Sequence, residues 1–242
     1  MQEEISKLKN LIASFQRIAV LSGAGMSTES GIPDFRSSTG IYNTITSERI
    51  FDIDEFHRDP AQFYRFRKEL QASILHAEPN AGHLALATLE KQGKQIEIAT
   101  QNIDGLHQKA GSTRVYEVHG TMHTLTCTKC RRSFKSADVD GTEPTGEILR
   151  CPCGGVLKPD ITFFGEMLPE KAISDAIRAM EKAELVIVLG TSLQVYPAAS
   201  LPSYRPAGVP LVIINMTPTP YDSEATLVLH SKIGEVLGSV VG

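Results

Sequence analysis

The chain has 242 residues, of which 41% are hydrophobic and 21% charged, and its formal net charge is -4. This length suits one large domain, or a large domain with a small insert. The acidic balance argues against non-specific nucleic-acid binding, which needs a basic surface. No apolar run reaches the roughly 20 residues that span a bilayer, and the charged N-terminus lacks a signal-peptide core. We therefore expect a cytoplasmic protein that binds neither membrane nor nucleic acid.

Helical and strand patterns alternate through most of the chain. Apolar periodicity predicts helices over 3–15, 52–75, 81–91 and 169–182, and Asn80 is a candidate N-cap for the third of them. Apolar runs predict strands over 17–22, 96–100, 114–118, 185–189 and 210–214, and their β-branched composition suits parallel strands covered on both faces. This alternation predicts an α/β fold with a Rossmann-like, doubly wound parallel sheet. Residues 120–158 have no long period and predict an inserted module.

The first predicted strand runs into the string SGAGMSTESGIPDFR, residues 22–36. Gly23 and Gly25 would let a ligand approach the backbone closely, because glycine has no Cβ. A helix starting just beyond them would favour a phosphate, as in a dinucleotide-binding unit. The third glycine of that motif is absent, since Thr28 follows, and residues 41–43 offer no acid for a ribose. The string therefore departs from that of a hydride-transferring dehydrogenase.

The four cysteines all lie in the predicted insert. Cys127 and Cys130 form one pair, and Cys151 and Cys153 follow after a gap of 20 residues. Two such pairs can supply four thiolates to one tetrahedral zinc, which would be structural because no position stays open for water or substrate. The second pair has a one-residue spacer, so we expect the two glycines after it to supply backbone freedom. Four unrelated buried thiols are the alternative.

Polar residues follow several predicted strands at their carboxyl ends, where open α/β sheets bind ligands. Gln101-Asn102-Ile103-Asp104 follow one strand, Gly190-Thr191-Ser192 another, and Asn215 a third. Glycine and hydroxyl groups there suit phosphate or ribose contacts. His119 ends the strand 114–118, where an imidazole that titrates near neutrality would suit a general base. Each segment alone is also compatible with an ordinary polar turn.

Together these strings resemble, in order and spacing, the signatures of the sirtuins, the NAD-dependent protein lysine deacylases. The resemblance covers Ile18 to about Ile233. It implies NAD as co-substrate, a structural zinc on the four cysteines, and His119 and Asn102 as catalytic residues. It implies that NAD contacts Gly23, Ala24, Gly25, Thr28, Asp34, Phe35, Arg36, Gln101, Asn102, Ile103, Asp104, His119, Gly190, Thr191, Ser192, Asn215 and Ile233.

The resemblance also implies a reaction in which the acyl group of lysine passes to ADP-ribose, with release of nicotinamide and O-acyl-ADP-ribose. Asn102 and Asp104 would position the ribose and the nicotinamide amide, and Phe35 would shield the reacting carbon. His119 would take a proton from a ribose hydroxyl. The acyl-lysine protein or peptide would bind as an added strand, in a cleft flanked by Ile161, Phe163, Phe164, Gly165, Val195 and Tyr196.

The sequence does not decide which acyl group is removed, because a pair of residues on the predicted helix 52–75 can be interpreted in two ways. Tyr64 and Arg67 lie three positions apart and so face one side. The pair resembles that of sirtuins which remove succinyl or malonyl groups, where guanidinium and phenol hold the acyl carboxylate. A surface pair on an amphipathic helix is the alternative, and residues 33–35 resemble the deacetylase type. A mono-ADP-ribosyltransferase and a zinc-ribbon binding module are competing functions.

The predicted organisation is one catalytic domain over residues 1–242. Its large Rossmann-like part would comprise about 1–35, 78–119 and 159–242. The smaller inserted domain would combine a helical module, about 36–77, with the four-cysteine zinc module, about 120–158.

Overall fold

The computed structural model describes residues 2–34, 40, 48–139 and 148–241, and it contains two sheets. The strands are β1 (Arg17–Ser22), β2 (Gln95–Thr100), β3 (Val115–Glu117), β4 (Gly120–Cys127), β5 (Ser133–Lys135), β6 (Leu157–Ile161), β7 (Leu185–Leu189), β8 (Leu211–Ile214) and β9 (Leu227–Leu229). The helices are α1 (Gln2–Ser14), α2 (Ile53–Arg58), α3 (Pro60–His76), α4 (Ala81–Lys91), α5 (Leu106–Ala110), α6 (Ser136–Val139), α7 (Glu170–Lys182) and α8 (Ile233–Val241).

The larger sheet has six parallel strands in the order β3-β2-β1-β7-β8-β9. The winding therefore reverses between β1 and β7, which is where doubly wound sheets bind ligands. Both faces are covered. In β1, Ile18 and Val20 pack against α1, α4 and α8, whereas Ala19 and Leu21 pack against α7. This two-sided burial explains the continuous apolar strand sequences, and the predicted Rossmann-like sheet is confirmed.

The smaller sheet is antiparallel, with the order β5-β4-β6, and packs with α2 and α3 in a core of its own. Aromatic rings build much of that core. Phe56 meets Phe163 edge to face with centroids 5.4 Å apart, and Phe51 meets Phe66 at 5.3 Å. Edge-to-face contacts add to the free energy gained by burying the rings. The predicted smaller unit, made of a helical and a four-cysteine module, is confirmed as part of the fold.

Two predicted helices differ in the structure. The helix over 52–75 is broken into α2 and α3, because Pro60 has no N–H for the helix that precedes it. Asp52 accepts from the backbone N–H groups of Asp54 and Glu55, and Asp59 from that of Ala61, so each half starts with its own N-cap. Beyond the glycine turn the structure has two short 3-10 turns, Ala24–Met26 and Thr28–Ser30, instead of a helix. Among the described residues no helix is both long and apolar enough to cross a bilayer.

Asn80 ties α4 to the turn after β1. Its Oδ1 accepts from the backbone N–H of Gly82 at 3.0 Å and of His83 at 3.3 Å, which confirms the predicted N-cap. Its Nδ2 donates to the carbonyl of Met26 at 2.8 Å and to Ser30 Oγ at 3.0 Å. One side chain therefore starts a helix and fixes the loop that borders the ligand-binding edge.

Candidate active site

The turns after β1 and β7 touch each other through glycine. The backbone N–H of Gly23 donates to Leu189 O at 2.9 Å, and that of Gly25 to Gly190 O at 2.8 Å. A Cβ on Gly25 would lie 2.8 Å from Gly190 Cα, and a Cβ on Gly190 would lie 2.4 Å from Met26 N. Gly190 also has a φ of +60°, which favours glycine. The glycines therefore let two strand ends meet, besides leaving the backbone accessible to a ligand.

A cleft of about 600 Å³ opens at this edge of the sheet, within the size range of small-molecule and cofactor sites. Most residues predicted to contact NAD line it: Ala24, Gly25, Thr28, Asp34, Gln101, Asn102, Ile103, Asp104, His119, Gly190, Thr191, Ser192, Asn215 and Ile233. Gly23 lies just behind the lining, where a Cβ would be 2.6 Å from Thr191 Cβ. Phe35 and Arg36 fall outside the described residues.

Asn102 and Asp104 are buried and share one hydroxyl. Asn102 Nδ2 donates to Ser27 Oγ at 3.0 Å, and Ser27 Oγ donates to Asp104 Oδ2 at 2.6 Å. The second carboxylate oxygen, Oδ1, accepts from the backbone N–H of Leu106 at 2.9 Å. Hydrogen bonds to both oxygens fix the orientation of the carboxylate. Ser27 was not predicted from the sequence, although it stands two residues after Gly25 in the opening string.

His119 lies between β3 and β4, at the wall of the cleft. Its Nδ1 is 3.2 Å from the carbonyl oxygen of Gln101, which can only accept, so Nδ1 carries the proton and Nε2 the lone pair. Burial lowers the pKa of His119 below its ordinary value, and the bond to Gln101 partly opposes that shift. At neutral pH the imidazole is therefore a neutral base.

The far end of the cleft is built from β7, β8 and the start of α8. Asn215 Nδ2 donates to the carbonyl of Thr217 at 2.7 Å, so a ribose hydroxyl would bond to Oδ1. Ile233 begins α8 and is buried. Glu29, which sequence reasoning missed, also lines the cleft, and its carboxylate accepts from the backbone N–H of Gly234 at 2.7 Å. This contact joins residues far apart in the chain, and no local pattern signals it.

The six residues predicted to flank the substrate all line the same cleft: Ile161, Phe163, Phe164, Gly165, Val195 and Tyr196. They differ in exposure, since Phe163 is 2% exposed within the small core whereas Phe164 is 49% and Tyr196 67% exposed. The backbone N–H of Phe164 donates to Phe51 O at 2.7 Å, and its carbonyl accepts from the N–H of Ile53. The backbone N–H and carbonyl of Phe164 are therefore both already paired within the fold.

Tyr64 and Arg67 do share a face of α3, but that face meets the zinc module. Tyr64 Oη donates to the carbonyl of Leu157, and Arg67 Nη2 donates to Ser136 Oγ at 3.0 Å. Both are buried, with exposures of 3% and 5%, so the alternative of a surface pair is wrong. Neither lines the described part of the cleft, which α3 reaches instead with Leu70 and Ile74.

The four cysteine sulfurs lie within 4.8 Å of one another. Cys127 Sγ is 3.5 Å from Cys153 Sγ, and Cys130 Sγ is 3.6 Å from Cys151 Sγ. Sulfurs around a tetrahedral zinc are separated by about 3.8 Å, given a zinc–sulfur bond of about 2.3 Å. The donor set therefore fits one structural zinc.

The two glycines after the second pair serve different purposes. Gly154 has a φ of +81°, which turns the chain sharply after Cys153. Gly155 lies so close to the first pair that a Cβ would be 2.6 Å from Cys127 Sγ. The short spacer is thus accommodated by one left-handed residue and one close approach.

Comparison with known proteins agrees with this geometry. Residues 23–197 match the model of the Sir2 family. An NAD-dependent protein deacetylase of Clostridium perfringens is 43% identical, with 100% of each chain covered. A Sir2 complex with deacetylated p53 peptide and 3'-O-acetyl ADP-ribose has a TM-score of 0.92 at 42% identity, covering 98% of this chain and 97% of the other. Sir2Tm bound to a propionylated peptide has a TM-score of 0.88 at 41% identity, with 98% and 97% covered. The chain belongs to the Sir2 family.

Proposed function

We propose that the protein is an NAD-dependent protein lysine deacylase that passes the acyl group from lysine to ADP-ribose, releasing nicotinamide and O-acyl-ADP-ribose. The observation that carries this proposal is the meeting of a neutral, partly buried imidazole, a fixed carboxylate–amide pair and a glycine turn in one cleft. The relatives support it, since one is named a deacetylase and others were solved with acyl-peptide or O-acetyl ADP-ribose ligands.

Asn102 and Asp104 would hold the reacting end of NAD. NAD supplies the ADP-ribose acceptor and nicotinamide as a leaving group. Because Ser27 and the N–H of Leu106 already orient both polar side chains, they need little rearrangement on binding. Preorganised polar groups in a buried site stabilise developing charge more strongly than water does. Binding through the turns at Gly25 and Gly190 would place the phosphates at the switch point.

His119 would act as the general base. Its Nδ1 proton is held by Gln101, so Nε2 is available to take a proton from a ribose hydroxyl. The amide oxygen of the acyl-lysine would first displace nicotinamide from the ribose carbon. The ribose oxygen deprotonated by His119 would then attack the acyl carbon, the lysine amine would leave with a proton, and water would open the resulting ring to give O-acyl-ADP-ribose. The carbonyl of His119 accepts from the backbone N–H of Thr162 at 2.8 Å, which ties the base to the segment proposed to bind the peptide.

The remaining parts of the proposal concern organisation. The zinc would hold β4 and β6 together and take no part in the reaction, because four thiolates complete its coordination. The division into a large part, about 1–35, 78–119 and 159–242, and a small part, about 36–77 and 120–158, is supported by the core that α2, α3 and the four-cysteine module share. Leu106, Ile161 and Phe163 of the large part also belong to that core. A cytoplasmic location is supported by the four thiols, which need a reducing compartment to bind metal.

Mass spectrometry of an acetyl-lysine peptide incubated with the protein and NAD tests the activity. We expect the peptide to lose the acetyl mass and O-acetyl-ADP-ribose to appear. Transfer of ADP-ribose to protein without deacetylation would indicate the mono-ADP-ribosyltransferase, and no reaction would indicate a binding module. His119→Tyr should abolish product. His76→Gln is the matched control, because His76 is an exposed histidine at the end of α3.

We also propose that acetyl and other apolar acyl groups are preferred over succinyl. The Tyr64 and Arg67 side chains bond to Leu157 and Ser136 of the zinc module, whereas Leu70 and Ile74 offer an apolar wall to the cleft. A buried guanidinium that is already hydrogen-bonded would have to break that contact to bind an acyl carboxylate.

Matched acetyl and succinyl peptides distinguish the two roles of Arg67. We expect Arg67→Met to lower protein stability but to leave the ratio of acetyl to succinyl turnover within about twofold of wild type. Arg65→Met, at an exposed position of the same helix, is the control. A selective loss of succinyl turnover in Arg67→Met would instead assign Arg67 to the acyl carboxylate.

A further inference from the structure

Two histidines that the proposed reaction does not use lie buried behind the cleft. His83 of α4 is 0% exposed and His107 of α5 is 1% exposed. Their rings meet edge to face, with centroids 4.8 Å apart and an interplanar angle of 60°. Among the described residues, neither ring nitrogen of His83 and not Nδ1 of His107 has a hydrogen-bond partner. Buried polar groups are nearly always bonded, so this pair requires an explanation.

The remaining ring nitrogen of the pair, His107 Nε2, is connected to the cleft by hydrogen bonds. His107 Nε2 is 2.9 Å from Ser22 Oγ, and Ser22 Oγ donates to Thr100 Oγ1 at 2.9 Å. Because Ser22 gives its only hydroxyl proton to Thr100, His107 Nε2 must be the donor to Ser22. Thr100 Oγ1 also accepts from the backbone N–H of Asn102 at 3.1 Å. A continuous chain of hydrogen bonds therefore runs from His107 to Asn102.

Asn102 is consequently fixed at two points. Its backbone N–H is held by Thr100 at the end of this chain, and its Nδ2 is held by Ser27. Ser22 and Thr100 are the last residues of β1 and β2 and pair directly across the parallel sheet. Hydrogen bonds in a buried chain polarise and strengthen one another, so the loss of a distant member weakens the hold on the last one.

We propose that His107, with His83 packed against it, is a positioning residue for Asn102 and acts on it through Ser22 and Thr100. The proposal rests on the proposed function only in giving Asn102 a role toward NAD. His107 touches neither NAD nor the peptide, since it does not line the cleft. His107 keeps the backbone of Asn102 in the position from which the Asn102 side chain bonds to Ser27 and can reach the ligand.

Four variants test the proposal: Ser22→Ala, His107→Leu, His107→Gln and the double variant Ser22→Ala/His107→Leu. We expect Ser22→Ala and His107→Leu each to weaken NAD binding, measured by calorimetry, and to lower the deacetylation rate by about 10- to 100-fold. The KM for peptide should stay unchanged, because the chain of bonds does not reach Phe164 or Val195. The double variant should lose no more than the worse single variant, since both break one chain.

His107→Gln provides the rescue, because its amide nitrogen can donate to Ser22 Oγ as Nε2 does. We expect it to bind NAD within about threefold of wild type. The proposal is overturned if Gln is no better than Leu, if the single losses multiply in the double variant, or if both single variants bind NAD normally. Should His107→Leu fail to fold, Ser22→Ala and His107→Gln still decide the question. Calorimetry measures NAD binding without any reaction. Failure of the positioning proposal can therefore be distinguished from failure of the proposed deacylase activity.

Discussion

At the scale of single residues, burial sets the protonation states in and behind the site. His119 and His107 are held in defined tautomers by Gln101 and Ser22, and burial lowers the pKa of both imidazoles. His83 has no hydrogen-bond partner for either nitrogen among the described residues. Burial lowers the pKa of His83, and the Asp104 carboxylate raises it by less. The histidines of the site region are thus neutral when the protein is folded at neutral pH.

This neutrality predicts a loss of stability in acid. Burial lowers the pKa of His83 from 6.5 to about 4. Between these two pH values His83 is protonated in the unfolded chain but neutral in the folded chain. The free energy of unfolding should therefore fall between pH 6.5 and 4, by about 3 kcal/mol from this residue. Urea denaturation at several pH values measures it. His83→Phe should flatten the slope, and an unchanged slope would show that other groups carry the acid sensitivity.

At the scale of elements, the site depends on two turns that can approach each other only because glycines stand where they touch. The turns after β1 and β7 approach each other at Gly25 and Gly190, and the backbone bonds between them set the distance between the strand ends. Sequence reasoning assigned these glycines to ligand binding. Their mutual contact could not be predicted, because the two glycines lie far apart in the chain and only the strand order brings β1 and β7 together.

Gly190→Ala should therefore be far more damaging than an alanine at another left-handed glycine. Gly208 has a φ of +83° with nothing within 4 Å of its Cβ position, whereas at Gly190 a Cβ would lie 2.4 Å from Met26 N. We expect Gly208→Ala to cost about 1 kcal/mol of stability and Gly190→Ala at least about 3 kcal/mol, with loss of NAD binding. Equal unfolding midpoints for the two variants would contradict the close approach of the turns.

Several elements could be predicted from the sequence because their signals are local. The strand over 17–22, the cap at Asn80 and the helix 81–91 match the structure residue for residue. The break between α2 and α3 is also signalled locally, because Asp59 followed by Pro60 is typical of a helix start. The prediction of one helix over 52–75 followed the apolar periodicity instead. The roles of Tyr64 and Arg67 could not be predicted, because a helical period tells which residues share a face and not what that face meets.

At the scale of the whole molecule, the zinc module and the large sheet are joined beside the proposed base. β4 starts at Gly120, directly after His119, and pairs there with Ile161 at the end of β6. The metal should therefore stabilise the small core and, through these strands, the peptide side of the cleft. The six-stranded sheet has two cores of its own, so we expect its stability to be largely independent of the metal.

Removal of zinc by a chelator should accordingly unfold one part first. Hydrogen exchange followed by mass spectrometry should show faster exchange in β4, β5 and β6, while β1, β2 and β7 stay protected. Deacylation should fall in parallel with the loss of protection in β4. Exchange that rises equally in both sheets would mean that the two parts unfold as one unit.

The pairing of β1 with β7 has a consequence for how the protein is made. β1 leaves the ribosome long before β7, yet Ile18 pairs with Leu185, and Asn215 and Ile233, which also line the cleft, follow later still. During synthesis, one edge of β1 therefore stays unpaired until β7 has been translated. Such an unpaired edge is a template for wrong pairing. Nascent chains that stall before β7 should therefore depend on a chaperone.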